Sequence, residues 1–301
     1  MLAQVWPSLP LDEWKDTYAT LHMWTQIVGK TRLALAPNEN HWWHVTLYVS
    51  ARGLTTTPIP HGTTVFEVEL DFIDHRLTVL TSDGRTRGIE LGPRSVADFY
   101  HEYVTVLGDL GLSARFRPVP DEVERPIPFA EDRQHASYDP EQAHRFWRVL
   151  LQADRILKRF RGRFVGKSSP VHFFWGSFDL ALTRFSGRRA PARPDANRMM
   201  REAMSHEEIS VGFWPGSGSV QQPTFYAYAA PEPPGFPATP MRPPAEYRRE
   251  ISNFILPYES VRTSATPDDM VLTFFQSTYA AAADLAGWDR AMLERPESEW
   301  P

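Results

Sequence analysis

The sequence predicts an α+β protein in which antiparallel sheets are flanked by helices, arranged as two related α-β-β-β-α halves about a pseudo-twofold axis. Three observations predict it. Two long segments place apolar residues at alternating three- and four-residue steps, the period of a helix that buries one stripe. Alternating stretches rich in β-branched and aromatic residues are joined by short turns, which suit hairpins rather than parallel crossovers. Finally, motifs of the first half recur in the second in the same order.

Taken in order, Leu11, Trp14, Tyr18, Leu21, Thr25 and Val28 form the first helical stripe, with Gly29 expected as its C-cap. His41 to Val49 reads as a strand on its aromatic and β-branched content. From Val65 to Phe72 the residues alternate, with Phe66, Val68, Leu70 and Phe72 on one face and Glu67, Glu69 and Asp71 on the other, the pattern of a half-buried strand. Leu77–Leu80 and Gly88–Leu91 flank the turn sequence Ser82-Asp83-Gly84-Arg85, and Val96–Leu110 is a second helix with Ser95 as N-cap.

Residues 1–112 are thus the first half. Residues 113–138, with four Pro, form an extended connection, and 139–301 form the second half. There Phe146, Leu150, Ala153, Leu157, Phe160 and Phe164 repeat the helical stripe, Gly166 repeats the expected cap, and Val171–Thr183 is a strand candidate. Val-Gly-Lys-Thr at 28–31 matches Val-Gly-Lys-Ser at 165–168, and Val96, Phe99, Asp109 and Leu110 match Val271, Phe274, Asp284 and Leu285 at a constant offset of 175. An internal duplication forming one integrated unit is the expectation. The second half carries an Arg-rich insertion at 186–205 and a Pro-rich one at 231–244, long segments of the kind that form lids or interaction surfaces.

Composition narrows the function. The 301 residues are 42% hydrophobic and 23% charged, ample for a packed core. With Lys+Arg 32 against Asp+Glu 37, the formal net charge of −5 argues against nucleic acid as a partner, since phosphate binding needs a concentrated positive field. The basic stretch from Arg145 to Lys167 reads as a solvated helix face. The absence of Cys excludes disulfides, thiolate nucleophiles and Cys-based metal sites. No leader pattern and no stretch of roughly 20 apolar residues is present, so no membrane partner and a cytoplasmic location are expected.

Several motifs resemble known chemistry and fail on spacing. Gly29-Lys30-Thr31 and Gly166-Lys167-Ser168 lack the earlier Gly of a phosphate loop and follow a helix instead of opening one. His206-Glu207-Glu208-Ile209-Ser210 has Ser where a zincin has its second His. Ser177, His44 and Asp179 do not make a nucleophilic triad, because Ser177 and Asp179 would lie roughly 7 Å apart on one strand face without a strained elbow.

What remains is an aromatic wall. Strand alternation places Trp42, His44, Thr46 and Tyr48 on one face and Phe173, Trp175, Ser177 and Asp179 on its counterpart. The helix adds the stripe Tyr18, His22, Gln26 and Lys30. The candidate catalytic set is His22 and His44 as acid–base groups with Asp179, because imidazole titrates near neutrality. The candidate ligand-binding set is Trp24, Gln26, Lys30, Trp42, Tyr48, Trp175, Ser177 and Arg184. Cofactors are unknown, and no metal ligand is assigned.

The runs Leu21-His22-Met23-Trp24-Thr25-Gln26-Ile27-Val28-Gly29-Lys30, Asn40-His41-Trp42-Trp43-His44-Val45 and His172-Phe173-Phe174-Trp175-Gly176-Ser177-Phe178-Asp179 resemble a bacterial family of uncharacterised proteins, domain-of-unknown-function family 5996. The resemblance runs from Trp6 to about Arg290. It implies a single full-length unit and no particular activity, cofactor or site residue. The residues themselves support an enzyme acting by His chemistry on a small organic ligand in an aromatic pocket between the halves. Two alternatives stand beside it: a non-catalytic binding or sensor protein using the same pocket, and a metal-dependent enzyme built on His22, His44 and a carboxylate. The insertions offer a surface for a protein partner.

Overall fold

The computed structural model describes residues 5–299. Its first element, α1 (Leu11–Leu35), is buried nearly all round over its second half, from Trp24 to Arg32. A helix of that kind is an interior element with neighbours on every side. Trp24 stacks on Phe99 at 4.7 Å, while Trp14 stacks on Phe146 at 4.9 Å. Gly29 does not cap this helix. It lies inside it, where a Cβ would stand 2.2 Å from Cδ1 of Trp175, so glycine is required there for close approach and not for a left-handed turn.

The chain then makes a 3-10 turn over Asn40–Val45, in which His41 and Trp42 both take positive φ, 56° and 62°. The strand expected over His41–Val49 is reduced to β1 (Tyr48–Val49). Aromatic and β-branched content measures fit to a pleated surface, and here the aromatic side chains pack on other elements instead, His41 and Trp43 both against Phe185. The assignment of Trp42, His44, Thr46 and Tyr48 to one strand face fails with the strand.

A six-stranded antiparallel sheet follows: β2 (Gly53–Thr55), β3 (Ile59–His61), β4 (Thr64–Asp71), β5 (Arg76–Thr81) and β6 (Thr86–Glu90), in the order β1-β2-β4-β5-β6 with β3 also paired to β4. The predicted alternation holds: Phe66, Val68, Leu70 and Phe72 are buried, opposite Val79 and Leu77 of β5. α2 (Val96–Asp109) is capped as predicted, with Ser95 accepting from the Asp98 N–H. Residues 113–138 run as an extended connection containing one 3-10 turn, Phe129–Glu131.

α3 (Pro140–Gly162) is N-capped by the Asp139 side chain and ends before Gly166, whose N–H instead reaches the Leu293 carbonyl. Here too the expected cap lies outside the helix. Val171–Thr183 is not one strand but a hairpin, β7 (His172–Phe174) and β8 (Asp179–Arg189), turning at Trp175–Phe178 with Phe178 at φ 58°. After α4 (Arg198–Ala203) come β9 (His206–Trp214), β10 (Thr224–Ala230), β11 (Glu246–Arg248) and β12 (Asn253–Pro257), completing a second antiparallel sheet ordered β11-β12-β10-β9-β8-β7. The short α5 (Tyr258–Arg262), the long α6 (Pro267–Leu285) and α7 (Arg290–Leu293) close the chain.

The architecture is therefore α+β with two antiparallel sheets, as predicted. The sheets meet where Leu47 and Phe173 exchange both backbone hydrogen bonds, at 2.9 and 2.8 Å. α3 and α6 cover one face of the second sheet, with Phe160 against Phe275 and Phe225 against Phe275. Its other face is left to side chains from the first half and from the Arg-rich insertion. Among the described residues, no helix is long and apolar enough to cross a membrane.

Candidate functional site

Strand alternation sorts the second sheet into two chemistries. Leu180, Leu182, Ile209, Val211, Phe213 and Phe225 point into the helix-covered core. The opposite face carries Asp179, Ala181, Thr183 and Phe185 on β8, Glu208, Ser210 and Trp214 on β9, and Tyr226 and Tyr228 on β10. Together these floor a cavity of about 690 Å³.

Trp42, Trp43 and Val45 from the 3-10 turn form one wall, and Phe174 and Trp175 of the hairpin form another. Asp121 and Glu122 of the connection stand at the rim. The roof is α4 and its C-cap, which contribute Met199, Met200, Ala203 and Met204. His41 fastens that roof: its Nδ1 donates to the Ala203 carbonyl at 2.7 Å, leaving Nε2 to accept from Lys167 Nζ at 2.7 Å. The left-handed backbone at His41 and Trp42 therefore sits where the first half closes over the second sheet.

Two carboxyl groups dominate the floor. Asp179 accepts from the Ser177 and Tyr226 hydroxyls, one on each oxygen. Burial pushes its carboxyl above the usual carboxylate range, against those two hydrogen bonds. Glu208, only 5% exposed, is pushed up to about 8 by burial, opposed by the charge of Arg193 and a hydrogen bond from Tyr228. Glu122 at the rim is raised first by desolvation and then by the charges of Asp179 and Asp121. At a value of about 8 the Glu208 carboxyl holds its proton at neutral pH, able to donate it or to ionise when a cation enters.

Of the residues singled out in the sequence, Trp42, Trp175, Ser177 and Asp179 line this cavity together. The others do not. His22 lies behind the hairpin turn, its Nε2 on the Gly176 carbonyl at 2.8 Å, and burial pushes it down to about 4. It is a neutral positioning group at physiological pH and not a titrating acid–base one. His44 accepts from the Glu39 N–H on Nδ1 at 3.2 Å and packs beside Trp42, outside the lining. Gln26 pairs with the backbone of Asp121, both groups at 2.8 Å, and Lys30 forms an ion pair with the Asp121 carboxylate beneath the Trp175 ring. These two residues bind the connection to α1.

Trp24 faces the opposite way, between Phe99 and Tyr138. Tyr48 lies beneath the Arg32 guanidinium and meets His172 edge-on. Arg184 is on the helix side of the sheet, 0% exposed, its guanidinium 3.4 Å from the Phe160 ring centroid and bonded to the Phe160 carbonyl. The parity of β8 decides this: Arg184 falls with Leu180 and Leu182, Asp179 with Ala181 and Thr183.

Glu208, Tyr226, Tyr228, Trp43 and the methionine roof escape a reading centred on His. Their signal lies in β9, where Glu208, Ser210, Gly212 and Trp214 alternate with Ile209, Val211 and Phe213; a strand so apolar on one face and so polar on the other marks a wet floor. His172 sits under Trp43 at 5.9 Å, with no hydrogen-bond partner on either ring nitrogen.

Among the described residues, no three His, Asp or Glu side chains are grouped to hold a metal ion. His22 and His44, with their separate backbone partners, do not form the pair that a metal-dependent reading requires. No curated protein and no solved structure matches the chain. The sequence model of a family of unknown function, DUF5996, matches residues 6–295 of the 301, and the chain belongs to that family.

Proposed function

We propose that the protein binds a small organic molecule in the cavity floored by β8–β10 and roofed by α4. The observation that carries this reading is the floor itself: buried Asp179 and Glu208 in a concave space whose large lining side chains are mostly Trp, Tyr, Phe and Met. A few polar groups set in an apolar, preformed cleft is the composition of a ligand site. A structural role alone would favour filling the space with apolar side chains, since buried carboxyls cost stability.

Catalysis is a second reading, and Asp179 supports it. It is the member of the candidate catalytic set that lines the cavity, and it accepts hydrogen bonds from the Ser177 and Tyr226 hydroxyls, which hold its carboxyl in place for a substrate.

The test is native mass spectrometry of the purified protein after equilibration with a cell metabolite extract, beside an Ala181→Phe variant. Ala181 is on the floor, and a phenyl ring there occupies the cavity. A small molecule retained by the native chain and lost by the variant supports the site; equal retention, or none by either, sinks it. Recovery of the captured molecule with its mass changed favours catalysis over binding.

A further inference from the structure

Resting on the ligand-binding reading above, we infer that the occupant is an elongated organic cation with an ammonium group at each end. The Asp179 and Glu208 carboxyls take the two nitrogens, and the aromatic and thioether walls take the chain between them.

The separation of the two acids gives the shape. Glu208 of β9 pairs with Phe185 of β8, six residues along the strand from Asp179, which sets the Cα atoms of the two acids about 20 Å apart at the rise of a strand. The acids therefore stand toward opposite ends of one cavity, and a single small cation cannot meet both. Between them the floor offers Ala181, Thr183 and Ser210 with the rings of Tyr226 and Tyr228, beneath the methionines of α4. Aromatic faces attract ammonium groups and the adjoining carbon chain, and thioethers adapt to a flexible one.

Charge decides between a cation and its alternatives. No salt bridge reaches either carboxyl among the described residues; Arg193 acts on Glu208 through its charge without pairing with it. The other nearby cations are engaged, Lys30 by Asp121 and Lys167 by His41. An anionic ligand would meet four acidic lining residues and no lysine or arginine of the lining. A cation would let the two buried carboxyls ionise against bound positive charge, which a neutral ligand does not supply.

The test is calorimetric titration of the full chain with three probes of one length: 1,8-diaminooctane, octylamine and octane-1,8-diol. The diamine is expected to bind about tenfold tighter than octylamine, and octylamine about tenfold tighter than the diol. Asp179→Asn and Glu208→Gln, each checked for native circular dichroism, should bring the diamine to the affinity of octylamine. Equal binding of diol and diamine overturns the cation and leaves the cavity reading intact. Octylamine matching the diamine overturns the two-ended arrangement. Absence of binding by all three overturns the inference, and the capture experiment with Ala181→Phe then tells whether the cavity reading falls with it.

Discussion

The Tyr226 hydroxyl reaches Asp179 from two strands away, crossing β9 over Gly212. A Cβ on Gly212 would stand 2.5 Å from that hydroxyl and 2.2 Å from the Leu180 carbonyl oxygen. The bare backbone at Gly212 is therefore what lets a β10 side chain hydrogen-bond to a β8 carboxyl on the cavity floor.

Gly212→Ala is expected to destabilise the fold by about 1–3 kcal/mol, the usual cost of forcing an atom into packed space. It also displaces Tyr226 from Asp179. Urea denaturation measures the first effect. The second appears as a Tyr226→Phe substitution that costs clearly less in the Gly212→Ala background than in the native chain, because the hydrogen bond is already lost. Additive effects would mean that the two residues are not coupled.

Gly29→Ala separates close approach from capping. Inside a helix, alanine alone would stabilise by roughly 0.5–1 kcal/mol. Contact with Trp175 is expected to reverse the sign. Trp175→Ala removes the obstructing ring, so Gly29→Ala should become neutral or stabilising in that background, read from melting temperatures of the four chains. Destabilisation that persists without the indole would point back to a backbone requirement at Gly29.

Stability should fall as pH rises because of Glu208. Its folded value of about 8 lies above the ordinary 4.5, so between those pH values the folded chain holds the proton that the unfolded chain releases. Each pH unit in that window costs about 1.4 kcal/mol at most. Tyr228, which faces it, is pushed further above the usual tyrosine range by burial and so keeps its proton across this window. Glu208→Gln is expected to flatten the decline between pH 6.5 and 8, a range above the depressed values of His22 and His172. An unchanged slope in chemical denaturation across that range would assign the decline to other groups.

His172 makes the opposite prediction in acid. Burial pushes it down to about 3, so below its ordinary 6.5 the unfolded chain binds a proton that the folded chain refuses, and stability is lost as pH falls. With neither ring nitrogen partnered, His172→Phe should leave stability at pH 7 unchanged or raise it by about 1–3 kcal/mol. It should also reduce the loss toward pH 4. A strongly destabilised variant at pH 7 would show that the imidazole has a partner, such as an ordered water.

The secondary-structure class and most local pieces were legible in the chain: the β4 alternation, the β5–β6 turn, the Ser95 cap and the α1 and α3 stripes. These are set by neighbours in the chain, where side-chain period and turn chemistry act directly. The sequence also pointed to Trp42, Trp175, Ser177 and Asp179, because aromatic and polar residues interleaved near buried strands are unusual. Tertiary structure decided the rest. Gly29 and Gly166 look like caps in sequence, yet one makes room for Trp175 and the other lies beyond its helix against α7. The segment at His41 has strand composition and is wound into a left-handed turn by packing on Phe185 and Ala203. Which face of β8 meets the cavity depends on where the hairpin turns, and that parity sends Arg184 into the core and Asp179 to the floor. Glu208 and Tyr226 join that floor only through strand pairing, whose partners lie far apart in the chain and leave no local period to read.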